Sequence, residues 1–333
     1  MTFVFIIRRR PNHGEFRNPA QYRGGGPVDA KLVRGFSEDK LLRPGFEYHG
    51  CYSNAVKLFL ILFAMTTPVW SAPRIEVHGH RGARALRPEN TIPAFEYAIE
   101  AGVDVLELDM AVTKDDVVVV SHDPLLNPEI CKGPGAPRAI RTLTFEELRK
   151  WDCGALRNPK YPRQTPVPGT PMPTLDEVFA LAGRGSFHFN IETKIFKDHP
   201  EYTPSPERFV ELVLAAVRKH NLTSRVILQS FDFRTLHAMK KLEPAMRLSA
   251  LYEKGRRSFV NVAREAGASI ISPNFPLVTP AKVKAAHAAG LQVVAWTANT
   301  PADWDGLIRA GVDAIISDDP AGLIAYLKDR KLR

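Results

Sequence analysis

The sequence predicts a (β/α)₈ barrel, or TIM barrel, with a segment inserted after the second strand. Three observations carry that reading. Beyond residue 73 one local unit recurs: a helix-like stretch ends in Ala-Gly and runs into a short β-branched segment, at Gly102, Gly267, Gly290 and Gly311. Eight such apolar runs can be counted, and they suit strands of a parallel sheet covered on both faces. Only the second is followed by an apolar run too close for a crossover helix to intervene. Eight alternating units favour a barrel, although an open doubly wound sheet has the same periodicity.

The predicted strands are 75–78, 104–110, 187–193, 226–230, 247–251, 269–272, 292–297 and 313–316. Helical patterns cover 91–101, 206–220, 233–242, 257–266, 280–289 and 301–310. Several start with proline in the first turn, where its missing N–H is tolerated. Glycine just past a helix adopts left-handed backbone cheaply. The last three Ala-Gly sites are 23 and 21 residues apart, enough for one strand, one helix and two short loops.

Residues 117–121 break the alternation. Only Thr113-Lys114-Asp115-Asp116 separates them from the second strand, so they are expected to return as a hairpin and carry His122 and Asp123 over the barrel mouth. About 124–172 then form a proline-rich insertion containing Cys131 and Cys153. Long insertions in compact domains usually serve a function. In an oxidising compartment the two cysteines could close a disulfide; otherwise they are free thiols.

Residues 1–55 read as a disordered or mis-assigned extension, rich in Arg, Gly and Pro without period. Lys57 and the apolar run after it are too short to span a bilayer and match a signal peptide over 56–72, with cleavage expected after Ser71. Translation from position 56 would make that signal conventional. The barrel domain is then 73–333, periplasmic or secreted, without a stable membrane anchor once the signal is cleaved. An uncleaved anchor is the alternative. The net charge is +9, but residues 1–72 hold ten Lys and Arg against five Asp and Glu, which argues against nucleic acid as a partner. No Cys/His spacing points to zinc.

Barrel active sites lie at the C-terminal ends of the strands. Those ends supply His80 and Arg81, then Glu107 and Asp109, His122 from the hairpin, Glu192 and Lys194, Trp296 and Asn299, and Ser317 and Asp318. Residues two apart on a strand share a face, so Glu107 pairs with Asp109 and Glu192 with Lys194. Three converging carboxylates repel one another, and one hard divalent cation, Ca²⁺ or Mg²⁺, resolves that. Ordinary ion pairs are the competing reading. His80 and His122 can act as general acid and base, because imidazole titrates near neutrality. Arg81 and Lys194 suit phosphate oxygens. His78, beside His80, could exchange roles with it. Glu89 is read as capping the helix at Thr91 and supporting the site from behind.

The motifs His80-Arg81-Gly82, Pro88-Glu89-Asn90-Thr91, Glu107-Leu108-Asp109, Ser121-His122-Asp123, Glu192-Thr193-Lys194, Gln229-Ser230-Phe231 and Trp296-Thr297-Ala298-Asn299 resemble, in combination and order, the glycerophosphodiester phosphodiesterases. The resemblance covers about 75–325. It implies a barrel with an insertion, and Glu107, Asp109 and Glu192 around the metal. It also implies His80 and His122 as acid and base, Arg81 and Lys194 on the phosphate, and Phe231 and Trp296 on the alcohol side. The implied reaction converts a small-molecule glycerophosphodiester to an alcohol and glycerol 3-phosphate. Phospholipase D-like or lysophospholipase D-like action on lipid is a related alternative, and a non-catalytic barrel is one of another class.

Overall fold

β-branched runs pack well on a pleated surface, and a left-handed residue after a helix redirects the chain toward the next strand. In the computed structural model, which describes residues 74–333, this produces β1 (Glu76–Gly79), α1 (Ile92–Ala101), β2 (Val105–Val112) and β3 (Val118–Val120). After them come α2 (Phe145–Leu148), α3 (Leu175–Phe179), β4 (His188–Thr193), α4 (Pro206–Lys219), β5 (Val226–Ser230) and α5 (Phe233–Leu242). The chain ends with β6 (Arg247–Tyr252), α6 (Phe259–Ala266), β7 (Ile270–Pro273), α7 (Pro280–Ala288), β8 (Gln292–Ala295), α8 (Pro301–Ala310), β9 (Ala314–Ser317) and α9 (Pro320–Asp329). The readings made for residues 1–55 and 56–72 lie outside the described residues.

Eight strands run parallel in the order β1, β2, β4, β5, β6, β7, β8, β9, and β9 pairs back with β1, His78 beside Ile316. That closure decides for a TIM barrel over a doubly wound sheet. Gly102, Gly267 and Gly311 end α1, α6 and α8 with φ of 88°, 64° and 82°, as the repeated Ala-Gly predicts. The last predicted strand before β9 overruns: β8 stops at Ala295, and Trp296 keeps only an isolated bridge to Asn274. The final helix, α9, packs against β1 and α1.

Strand periodicity sorts the core into two layers. Ile227, Ile270, Val294, Ala314 and Ile316 fill the barrel interior, while Phe95, Phe189, Phe209 and Leu248 belong to the larger core between strands and helices. His78 faces inward below the mouth and is completely buried, its Nε2 3.8 Å from Glu76 at the lower rim. Its depth rules out exchange with His80.

The predicted hairpin forms. β3 pairs antiparallel with β2, Met110 opposite Val120, and Ser121 N–H donates to the carbonyl of Asp109, which brings His122 level with the mouth. Residues 124–172 then fold over this hairpin around a small core of Leu126, Ile140, Leu148, Trp151 and Met172. The Cys131–Cys153 disulfide is formed and belongs to that core. The Asp152 carboxylate accepts N–H groups from Gly154, Ala155, Gly169 and Thr170, gathering the two ends of the proline-rich loop.

Candidate active site

The site begins in the tight turn after β1. Arg81 has φ of 48° and Gly82 of 85°, and a Cβ on Gly82 would lie 2.7 Å from the Ala94 backbone in α1. Only glycine fits there, and the resulting turn aims two consecutive residues at the barrel mouth. Arg81 N–H donates to Glu107 Oε2 at 2.9 Å, and its guanidinium reaches Glu89 at 2.5 Å and Asp109 at 3.1 Å. His80 Nδ1 lies 2.5 Å from Asp318 Oδ1, and its Nε2 lies 3.9 Å from Glu107.

Glu107 and Asp109 on β2 and Glu192 on β4 all face inward, and each offers an oxygen within 4.8 Å of the others. All three are buried. Gln229 Nε2 on β5 donates to Glu107 Oε1 at 2.7 Å, and Asn190 Nδ2 donates to Gln229 Oε1 at 3.0 Å. Asn90 Nδ2 donates to Asp109 at 3.0 Å. Lys194 Nζ lies 2.7 Å from Glu192 and 3.1 Å from Asp109. Burial and the neighbouring Asp109 push the Glu107 carboxyl well above its ordinary range. Burial also raises Glu192 despite Lys194. Asp109 goes the other way: burial opposes its charge, but Lys194 and Arg81 hold it well below the usual carboxylate range.

The connected ion-pair network contains the carboxylates of Glu89, Glu107, Asp109, Glu192 and Asp318 against the fixed cations Arg81, Arg84 and Lys194. Fully ionised, with His80 neutral, it carries an excess of two negative charges. Such an excess is relieved by protonating carboxylates or by one divalent cation, and a carboxylate that accepts one hydrogen bond keeps lone pairs for a metal. An all-oxygen donor set fits a hard cation.

The nine residues given catalytic, metal or substrate roles from the sequence line one cavity of about 290 Å³: His80, Arg81, Glu107, Asp109, His122, Glu192, Lys194, Phe231 and Trp296. His122 is about a third exposed, with Nδ1 2.7 Å from its neighbour Asp123. Trp296 donates its indole N–H to the Ser272 carbonyl at 2.7 Å, and its ring meets Phe231 edge to face at 5.6 Å.

Glu89 is not a helix cap. Thr91 precedes α1 without a side-chain cap bond, and Glu89 instead pairs with Arg81 and Arg84 and accepts from Asn158 of the insertion. The support role stands and the capping role falls, because a buried carboxylate between two guanidinium groups is better satisfied there than at a helix end.

Other polar residues acquired their partners in the site only with the structure. Asp318 is legible as the end of β9, but not as the partner of His80. Its second oxygen accepts from Asn299 at 2.8 Å and Tyr161 at 3.1 Å. Gln229 stands in the Gln-Ser-Phe motif, and parallel register puts it beside Glu192 on the next strand. Arg84 and Tyr161 carry no sequence signal, yet the Arg84 guanidinium stacks on Tyr161 at 4.7 Å. The insertion thereby closes one side of the mouth.

Comparison with known proteins places this geometry among relatives. Residues 80–322 match the model of the glycerophosphoryl diester phosphodiesterase family. A glycerophosphodiester phosphodiesterase of Caldanaerobacter subterraneus subsp. tengcongensis is 35% identical over 252 residues, covering 76% of this chain and 97% of the relative. One of Bacillus subtilis is 30% identical, covering 78% of this chain and 92% of the relative. A solved Silicibacter pomeroyi protein assigned to the glycerophosphoryl diester phosphodiesterases superposes with a TM-score of 0.73 at 31% identity, covering 78% of this chain and 95% of that one.

Proposed function

The chain belongs to the glycerophosphoryl diester phosphodiesterase family, and on that premise we propose that it hydrolyses glycerophosphodiesters to an alcohol and glycerol 3-phosphate. The observation that carries the reading is the convergence of the clustered carboxylates Glu107, Asp109 and Glu192, the imidazoles of His80 and His122, the guanidinium of Arg81 and the ammonium of Lys194 on a single cavity.

Glu107, Asp109 and Glu192 would hold one divalent cation, Ca²⁺ or Mg²⁺. Bound there, such an ion supplies Lewis-acid charge for a phosphoryl oxygen. Arg81 and Lys194 neutralise and orient the non-bridging oxygens, which is most of what phosphoryl transfer asks of a protein. Burial lowers the basicity of His80 below that of an ordinary imidazole, against the pull of Asp318. With Nδ1–H donated to Asp318, the neutral ring keeps its lone pair on Nε2. The second imidazole, His122, is carried by the β3 hairpin, which pairs with the upper part of β2. One imidazole takes the proton of the attacking water as the new P–O bond forms. The other gives a proton to the departing alcohol oxygen as the old P–O bond breaks, which balances the reaction.

The Cys131–Cys153 disulfide and the apolar run at 58–65 support action outside the cytoplasm, in the periplasm or the medium. N-terminal sequencing of exported protein beginning near Ala72 would bear this out. A mature chain beginning near residue 9 would reject it.

Purified protein is to be assayed on a panel of glycerophosphodiesters, with and without chelator, by coupled detection of glycerol 3-phosphate. Chelator-sensitive release is the expected result. A lysophospholipid arm tests lipid substrates, and turnover of that arm alone would overturn the reading.

A further inference from the structure

Strand order divides the cavity into two unlike halves. β1, β2, the β3 hairpin and β4 are contiguous and bring the ionic residues described above. The other wall comes from β5, β6 and β8, through Phe231, Leu251, Glu253 and Trp296. Phosphate chemistry accounts for the first half and leaves the second unexplained.

Three features of that wall point to a ligand. Phe231 is 44% exposed and is one of three large hydrophobic side chains that are exposed among the described residues. The Trp296 ring is anchored through its indole N–H to Ser272, so the Phe231–Trp296 pair is a built surface. Glu253 adds a carboxylate to the same cavity, two residues after Leu251 along the chain from β6. Three basic residues follow it closely in the chain: Arg257 is paired with Glu265, and neither Lys254 nor Arg256 forms an ion pair with Glu253. Among the described residues no Lys or Arg of the protein stacks on either ring; the guanidinium and ammonium stacks fall on other aromatics.

Aromatic faces combined with a carboxylate attract an organic ammonium. A neutral alcohol would need the apolar surface but not the charge. We propose that this wall is a subsite for a cationic head group, with Glu253 as its specificity-determining residue. The preferred diesters are then those whose alcohol is an amino alcohol such as choline or ethanolamine. The inference rests on the hydrolase reading above. A zwitterionic diester matches both halves at once, its phosphate toward Arg81 and Lys194 and its ammonium toward Glu253.

The test measures kcat/KM of the full protein, with divalent cation present, on glycerophosphocholine, glycerophosphoethanolamine and the uncharged-headed glycerophosphoglycerol. The cationic esters should be favoured, and Glu253→Gln should shrink their advantage by about 3- to 30-fold. Glu253→Lys should shrink it further. A ratio of two substrates cancels any change in the folded fraction. Saturation-transfer NMR with choline, wild type against Glu253→Gln, reads the subsite without turnover, and the signal should fall in the variant. An unchanged substrate ratio together with an unchanged choline signal overturns the subsite while leaving the hydrolase intact. Choline binding without turnover of any diester would overturn the hydrolase reading instead.

Discussion

His80 and Asp318 join the two ends of the barrel sheet: the imidazole Nδ1 after β1 lies 2.5 Å from the carboxylate after β9. These residues are 238 positions apart in sequence and become neighbours only because β9 pairs with β1. Burial would raise the Asp318 carboxyl, but His80, Arg84 and Asn299 hold it down at about 2. It therefore stays an acceptor at neutral pH and selects the Nδ1–H tautomer of His80. Asp318→Asn should leave the fold intact and lower kcat by about 10- to 1,000-fold. Nitrogen NMR of the histidines should show a changed tautomer. A normal tautomer with normal kcat would remove Asp318 from this role.

The two imidazoles make a separable prediction. His80→Ala and His122→Ala should each reduce turnover by about 10²–10⁴-fold. Circular dichroism should remain native, since neither ring belongs to the hydrophobic core. Wild-type turnover in either variant would exclude that residue from proton transfer.

Gln229 is the described side chain that donates to Glu107 Oε1. Replacing it by leucine leaves Oε1 without that donor, so that only the Arg81 N–H on Oε2 still orients the carboxylate. Metal affinity, followed by calorimetry with Ca²⁺ and Mg²⁺ or by terbium luminescence, should fall about 10- to 100-fold. Glu107→Ala should weaken it further. An unchanged titration in Glu107→Ala would reject that residue as a ligand.

The disulfide should matter for the insertion. It closes a loop with a sequence separation of 22 residues, for which chain entropy gives about 3 kcal/mol. Replacing both cysteines with alanine should lower the melting temperature and expose residues 124–172 to protease. Equal protease resistance of oxidised and cysteine-free protein would contradict this.

Acid should loosen the same insertion through Asp152. Burial works against its charge, but the N–H donors of Gly169, Gly154, Thr170 and Ala155 outweigh it and lower its pKa. A carboxyl depressed in the folded state contributes fully above its ordinary value, about 4, and loses that contribution as pH falls through the lower folded value. Hydrogen exchange in residues 152–170, corrected for intrinsic rate, should therefore rise as pH drops below 4. In Asp152→Asn it should be high throughout that range, and a pH dependence matching wild type would refute the argument.

Local rules made much of this protein readable from its sequence. Ala-Gly at helix ends, β-branched runs and the short link before Val117 predicted the strands, most helices and the hairpin that lifts His122, because backbone preference and burial act over a few residues. Strand-end position and the hairpin also picked out eight of the cavity residues, since alternation along a strand assigns a side chain to one face, while Phe231 came from the motif resemblance alone. What the tertiary structure alone decided are relations between distant strands. The pairing of β9 with β1 closed the barrel and joined Asp318 to His80. The fold of the insertion formed the disulfide, laid Tyr161 against Arg84 and turned Glu89 from a supposed cap into an ion-pair partner. Sheet closure and side-chain pairing depend on register between segments far apart in the chain, and no local periodicity encodes that.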